Sequence, residues 1–425
     1  MDKILDRICS IKNHPVARLD EKFRMIYVEG LVACMYSISG GNNTSKMLTL
    51  AWVNSICPQI ISIDDIWKAN NDFVKRAISI QRKGFSFFSM KKDFFYDVLY
   101  LSESSLLNKF NYDSISTYLK NEICGYFSKK TLDMIIKNYQ NGTCQMCGVD
   151  SSLGGHKRTN DGISASNEEK VLVVANVSAG KSTLINALVG RRINKTLTTV
   201  CTQKLVYIHN KQVEDGLMIE DSKFRYTYYP EFANINSDSF IHASFNFDSL
   251  LSTHNLYFVD TPGINNAYDS NHKKLTESAI VSNDYDCLVY VSNCQYNATN
   301  DEDNLLSLLK NKCKKPIIFV LNQMDKMKQK DDSIVKMTND FYKDLTQKGF
   351  KNPKVIPVSA QAALLFKLQD DMMDEDDLFE RELLKKKFLK DFYDLPSYSL
   401  NKKSSDLLER TGIPSLERNI LTLIR

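Results

Sequence analysis

Gly180, Lys181 and Ser182 are the residues of this sequence best spaced to handle phosphate. They lie in Val171 to Gly190, V-L-V-V-A-N-V-S-A-G-K-S-T-L-I-N-A-L-V-G, which reads as a buried strand, a tight turn and a helix. The turn is a G-x-x-x-x-G-K-[S/T] loop in which Ala175 takes the place of the first glycine. Asn176, Val177, Ser178, Ala179, Gly180, Lys181, Ser182 and Thr183 are the candidate phosphate-binding residues. Backbone N–H groups from Ser178 to Ser182 are placed to wrap a β-phosphate, and the helix N-terminus adds partial positive charge. Gly180 supplies a conformation that a side chain would obstruct. Lys181 would reach the β- and γ-phosphates, and Ser182 would hold Mg²⁺.

Three later stretches could complete such a site. Asp260-Thr261-Pro262-Gly263 follows an apolar run; Asp260 can hold Mg²⁺ through water, and the Gly263 N–H can meet a γ-phosphate. Asn322-Gln323-Met324-Asp325 follows another apolar run. The Asp325 carboxylate can accept from N1–H and the exocyclic amine of guanine together, a donor pair that adenine lacks. Asn322 would tie this loop to the phosphate loop. Gln323 stands where the N-K-x-D motif has a lysine whose stem lies over the base. Ser359-Ala360 follows a third run, and the Ala360 N–H would read guanine O6. A threonine that meets Mg²⁺ and the γ-phosphate is expected between Ser182 and Asp260. Thr199 is favoured, with Thr198 and Thr202 as rivals.

Strands are needed to carry these loops. Apolar runs recur at 171–175, 205–208, 256–259, 287–291, 317–321 and 355–358, with helical patterns between them. That alternation predicts an α/β fold with a mostly parallel sheet covered on both faces, binding ligand at the carboxyl ends of its strands. Before it, residues 1–140 read as a separate all-α domain, with a capping box at Ser62–Asp65 and another capped helix after Ser128. Residues 141–168, rich in Gly, Ser, Asn and Thr, read as a flexible linker, and 169–425 as the nucleotide domain.

Composition narrows the class. The chain has 425 residues, 43% of them hydrophobic and 25% charged, as in a globular protein of two or three domains. A net charge of +4 with interspersed signs gives no reason to expect nucleic acid. Ten scattered cysteines fit a reducing compartment. Cys144 and Cys147 form a C-x-x-C with only His156 nearby, too little for a zinc site. No stretch reads as a signal peptide or bilayer span, so the expected location is the cytoplasm, with peripheral contact at the inner membrane left open.

As a set, these motifs resemble the GTPase domain of the dynamin superfamily, in particular bacterial dynamin-like proteins. The resemblance covers roughly residues 169–425. It rests on S-A-G-K-S at 178–182, on the roughly eighty residues from Ser182 to Asp260, on Ile264 where Ras-type enzymes place a glutamine, and on the tail I-P-V-S-A-Q-A-A-L-L then T-G-I-P-S-L-E. It implies Mg²⁺-dependent GTP hydrolysis in which Ser178 positions water, Lys181 and Thr199 assist, and a monovalent cation (K⁺ or Na⁺) stands in for an arginine finger. It also implies a homodimer through the GTPase domains, stimulated turnover and membrane remodelling. The usual C-terminal stalk is not expected within this sequence, which stops at Arg425 in what reads as the last GTPase helix; the two expectations are a truncated form or a protein partner that supplies the stalk. The rival expectation is a GTP-dependent switch whose N-terminal helices bind a protein partner.

Overall fold

The structure is a computed structural model. It describes residues 4–80, 87–123, 128–146, 152–165, 168–176, 178–193, 205–231, 241–262, 270–294, 300–330, 332–400 and 404–424. The chain divides into two compact units. One comprises Asn167–Gln212 and Ala233–Arg425, the other Met1–Ser166 and Val213–Phe232.

The first is an α/β unit with seven strands among its described residues: β1 (Glu169–Ala175), β2 (Val206–Asn210), β3 (His242–Phe245), β4 (Leu256–Asp260), β5 (Cys287–Asn293), β6 (Ile317–Asn322) and β7 (Lys354–Pro357). Their order is β3-β2-β4-β1-β5-β6-β7. From β4 to β7 all neighbours are parallel. β2 runs antiparallel to β4, and β3 parallel to β2. Val171–Ala175 of β1 and Cys287–Ser292 of β5 are buried at every residue, the unalternating pattern of strands covered on both faces. Register sets Val173 beside Asp260 and Asn293 beside Asn322, so the chain leaves β1, β4, β5 and β6 at one edge of the sheet. β3 was not foreseen from the sequence; its four residues, His242–Phe245, are too few to show a period.

The helix Lys181–Val189 buries Leu184, Ile185 and Leu188, as its 3.6-residue pattern predicts. It ends at Gly190 (φ 75°), where an added Cβ would sit 2.8 Å from the Asp248 carbonyl oxygen.

The second unit is helical: Glu21–Ser39, Asn43–Asn54, Asn71–Ile78, Phe87–Leu106, Tyr112–Ile123, Lys129–Gln140 and Ser152–Ala165. Trp52, Tyr27, Phe94 and Tyr100 are among its largest buried side chains. Inside it, Asp97 accepts from the Tyr27 hydroxyl at 2.7 Å and pairs with His14 Nε2 at 3.0 Å. Burial, with the carboxylates of Asp97 and Asp93, pushes the Tyr27 phenol well up, so it stays a donor.

Three sequence expectations fail here. The stretch taken for a flexible linker holds the 14-residue helix Ser152–Ala165. Its polar residues have tertiary partners: Asn160 accepts from the Ile8 N–H at 3.1 Å and donates to the Tyr100 hydroxyl at 2.8 Å. Composition therefore gave the wrong signal. Next, Ser62–Asp65 caps no helix. Asp64 is held by Lys46 and Ser62, and the helix begins at Asn71 with Asn70 accepting from the Asp72 and Phe73 N–H groups. Finally, residues 213–232 fall in the helical unit. Their antiparallel hairpin, Leu217–Glu220 with Tyr226–Tyr229, puts Met218 and Tyr228 into that unit's core, and Asp215 accepts from the Cys9 N–H at 2.6 Å.

Candidate nucleotide site

Loops leaving β1, β4, β6 and β7 supply the candidate residues. After β1 the chain turns through Asn176, with the Ala179 N–H donating to the Asn176 carbonyl at 3.3 Å. Ser178 (φ 65°) and Gly180 (φ 81°) are both left-handed. At Gly180 the need for glycine is steric: a Cβ would come within 2.6 Å of Asn322 Nδ2. Lys181, Ser182 and Thr183 open the helix, in the turn whose N–H groups have no intrahelical acceptor. Both polar atoms of the Asn176 side chain are buried without a partner among the described residues, close behind this loop in sequence. Val177 lies outside the described residues, as do Gly263, Ile264, Thr198, Thr199, Thr202 and Cys147.

Lys181 Nζ pairs with Asp260 at the end of β4. Burial pulls the Lys181 ammonium down to about 7. A buried cation with one carboxylate partner has hydrogens left for phosphate oxygens, and Asp260 can turn to a divalent cation. Thr261 Oγ1 donates to the Val173 carbonyl at 3.0 Å, which fixes the turn after Asp260 to β1.

Asn322 joins three loops. Its Nδ2 donates to the Ala179 carbonyl at 3.0 Å, and its Oδ1 accepts from the Ala360 N–H at 3.1 Å. The expected tie to the phosphate loop is present. The Ala360 N–H, expected to read guanine O6, donates to Asn322 Oδ1 in this structure. Gln323 (φ 65°) does something that the sequence did not foretell. Its Nε2 donates to the Ser178 carbonyl at 2.9 Å, and its Oε1 accepts from Lys326 Nζ at 2.9 Å. It is a second strap on the phosphate loop.

Asp325 Oδ1 accepts from Ser359 Oγ at 2.6 Å, and Ser359 Oγ also caps the helix Ala360–Lys367. Three further residues support this loop from far along the chain. Lys387 Nζ donates to the Asp325 carbonyl, Cys294 Sγ to the Gln323 carbonyl at 3.2 Å, and the Ser359 N–H to the Thr411 carbonyl at 2.9 Å. Burial lowers the Lys387 ammonium, with Asp325 opposing. No local pattern announces these partners. In the acidic stretch 370–377, Asp374 and Asp377 form a capping box on Glu375–Phe388, and Asp377 pairs with Arg192.

The described residues could hold a divalent ion through Ser182 and Asp260, and a nucleotide across the Ser178–Thr183 and Asn322–Asp325 loops. Among them, no helix is long and apolar enough to cross a membrane.

A family model described as the dynamin family matches residues 171–324. An uncharacterised protein in the xynA 3′ region of Caldicellulosiruptor sp. (strain Rt8B.4) is 30% identical over 237 residues, 52% of this chain and 56% of that protein. GTPase Era of Histophilus somni (strain 129Pt) is 24% identical over 198 residues, 45% of this chain and 49% of its own. The chain thus spans about half the length of the curated relatives it matches. Among solved structures, a chain of an oligomerised bacterial dynamin pair is similar at 15% identity and a TM-score of 0.36, over 99% of this chain and 64% of that one. The match at 171–324 takes in the phosphate loop, Asp260 and Asn322, and over those residues this chain is similar to the dynamin family.

Proposed function

We propose that the chain binds GTP with Mg²⁺ and hydrolyses it slowly, with turnover rising when two GTPase domains meet. The observation that carries this reading is the joined loop system: Asn322 and Gln323 strap the Ser178–Gly180 turn to the loop bearing Asp325. Phosphate and base recognition then share one rigid frame, and the Asp325 carboxylate selects guanine. Ser182 and Asp260 hold Mg²⁺, whose bound charge would polarise the γ-phosphate. Lys181 exchanges Asp260 for phosphate oxygens. Ser178, exposed at the turn, orients water, and Thr199 with Gly263 closes over the γ-phosphate. A monovalent cation near Ser178, a stalk supplied by a partner protein, peripheral membrane contact and a cytoplasmic location complete this proposal.

A second reading draws on the helical unit, which takes in residues 213–232 from between β2 and β3. The chain therefore passes from the sheet into that unit and back, downstream of Thr199. In this reading GTP state is reported to a protein partner on the helices, and hydrolysis only resets the switch.

One assay tests both: GTP against ATP hydrolysis over a range of protein concentrations. Specific GTPase activity that climbs with concentration supports self-stimulation, whereas flat, slow GTP turnover supports the switch. Equal use of GTP and ATP, or an Asp325→Ala variant that keeps its guanine preference, would refute the role given to Asp325.

A further inference from the structure

At the end of the sheet opposite the nucleotide loops lies a cavity of about 340 Å³, where the chain enters β6 and β7. Its floor is apolar. Phe319 and Phe350 meet edge to face at 5.0 Å, and Leu423 closes one side. Phe350 is held in place, because the Lys310 ammonium sits 5.6 Å from its ring centroid while donating to the Gly349 carbonyl.

The rim is basic. Lys315, Lys351 and Lys354 line it, with Lys312 and Lys314 next in the chain. None of these five has a carboxylate partner among the described residues. The sequence carries no Asp or Glu between Asp303 and Asp325, nor between Asp344 and Asp370. The neighbouring acids are occupied: Asp303 and Asp344 by Lys348, and Asp284 by Lys170. Unpaired like charges around one opening repel, so the arrangement gains when an anion enters. An apolar floor offers a purely hydrophilic anion such as inorganic phosphate nothing beyond those charges.

We propose that this cavity binds an amphipathic anion, a phosphate or carboxylate group on an apolar chain. The anion sits among Lys315, Lys351 and Lys354, and the first chain carbons lie on Phe319 and Phe350. At 340 Å³ the cavity is at the small end for ligand sites, so it takes a headgroup and the start of a chain.

Cys313 lines the same cavity and is a part-exposed free thiol, which makes it a reporter. Its alkylation rate, located by peptide mass spectrometry, is measured with monomeric dioctanoyl phosphatidic acid, dioctanoylglycerol and inorganic phosphate in turn. Phosphatidic acid should slow alkylation at concentrations where the other two do not. A Lys315→Glu/Lys351→Glu variant should weaken that protection by about tenfold or more and leave GTP turnover unchanged. Vesicles of phosphatidylcholine with phosphatidic acid separate the sources: protection there supports a bilayer headgroup, and protection by the monomer alone supports a dissolved ligand. Equal protection by phosphate or by the neutral glyceride overturns the proposal, as does no protection at all or a variant protected like wild type.

Discussion

Two buried lysine–carboxylate pairs in the α/β unit stand in contrast. Lys367 and Glu417 meet at 2.8 Å with side chains 5% and 2% exposed. Lys367 also donates to the Ala187 carbonyl at 2.9 Å, and Glu417 accepts from the Leu250 N–H at 3.2 Å. Burial raises the Glu417 carboxyl, and Lys367 and the Leu250 N–H work against that rise. This pair is bonded on several sides, and it braces four parts of the chain far apart in sequence. Lys181 and Asp260 are also mostly buried, their side chains 11% exposed each, but they sit at a helix start and a strand end, and among the described residues their side chains bond to each other alone. A charge pair with bonding capacity left at a loop mouth can exchange partners; one whose bonds are spent cannot. Burial alone therefore does not separate a site from a brace. The unspent bonds do.

The sharpest way to break this contrast is to truncate each lysine pair on one side. Lys181→Ala should lower GTP turnover by about 10³-fold or more while moving the urea midpoint little, since phosphate stabilisation is lost and no packing is. Glu417→Ala should do the reverse. It leaves Lys367 charged and buried, at a cost of about 3–5 kcal/mol in unfolding free energy, with normal turnover in the fraction still folded. Comparable stability losses in both variants, with turnover kept in Lys181→Ala, would end the distinction.

That distinction was only half legible in the sequence. Gly180, Lys181, Asp260, Asn322 and Asp325 could be read because each follows a buried strand, where a turn must come and where few residue types do the work. The α/β class followed from the apolar runs for the same reason. Lys367–Glu417, Lys387 at the Asp325 carbonyl and Thr411 at Ser359 bridge 50, 62 and 52 residues or so, and nothing local marks them. The hairpin at 217–229 shows the same limit. Leu217–Glu220 has the composition of a strand, yet composition does not say in which unit it packs.

A third pair gives a pH test of a brace without opposite charges. His209 Nε2 and His242 Nδ1 are 3.0 Å apart, the rings stacked on Tyr257 and Tyr207. Burial lowers His209 to about 4, with Glu168 opposing, and lowers His242 to about 3, where a charge on His209 adds to the effect. Above the ordinary histidine value near 6.5, folded and unfolded chains are both neutral there. As pH falls below it, the unfolded chain takes up protons that the folded one refuses, so stability drops. For His209 alone the drop is roughly 2–3 kcal/mol between pH 6.5 and 4.5. Urea midpoints at the two pH values should therefore differ less in His209→Phe/His242→Phe than in wild type. An unchanged difference would mean that this pair does not set the acid sensitivity.

The smallest effect is expected at Gln323, where the contrast can be tuned rather than broken. Its amide reaches the Ser178 carbonyl and accepts from Lys326, so part of the positive charge that the N-K-x-D lysine would bring is supplied through Lys326. Gln323 also holds a left-handed backbone (φ 65°), a cost that a lysine would carry equally. Gln323→Lys should thus keep the strap to Ser178, place a longer stem beside the base and repel Lys326. The first two gains and the last loss nearly offset, leaving a change in GDP affinity of about threefold or less. Lys326→Ala should lower affinity slightly in wild type and raise it in Gln323→Lys, because the same ammonium supports an amide and opposes another ammonium. Fluorescent GDP titrations of the four proteins in this cycle measure that coupling, and two Lys326→Ala effects of the same sign would show that Lys326 does not act through position 323.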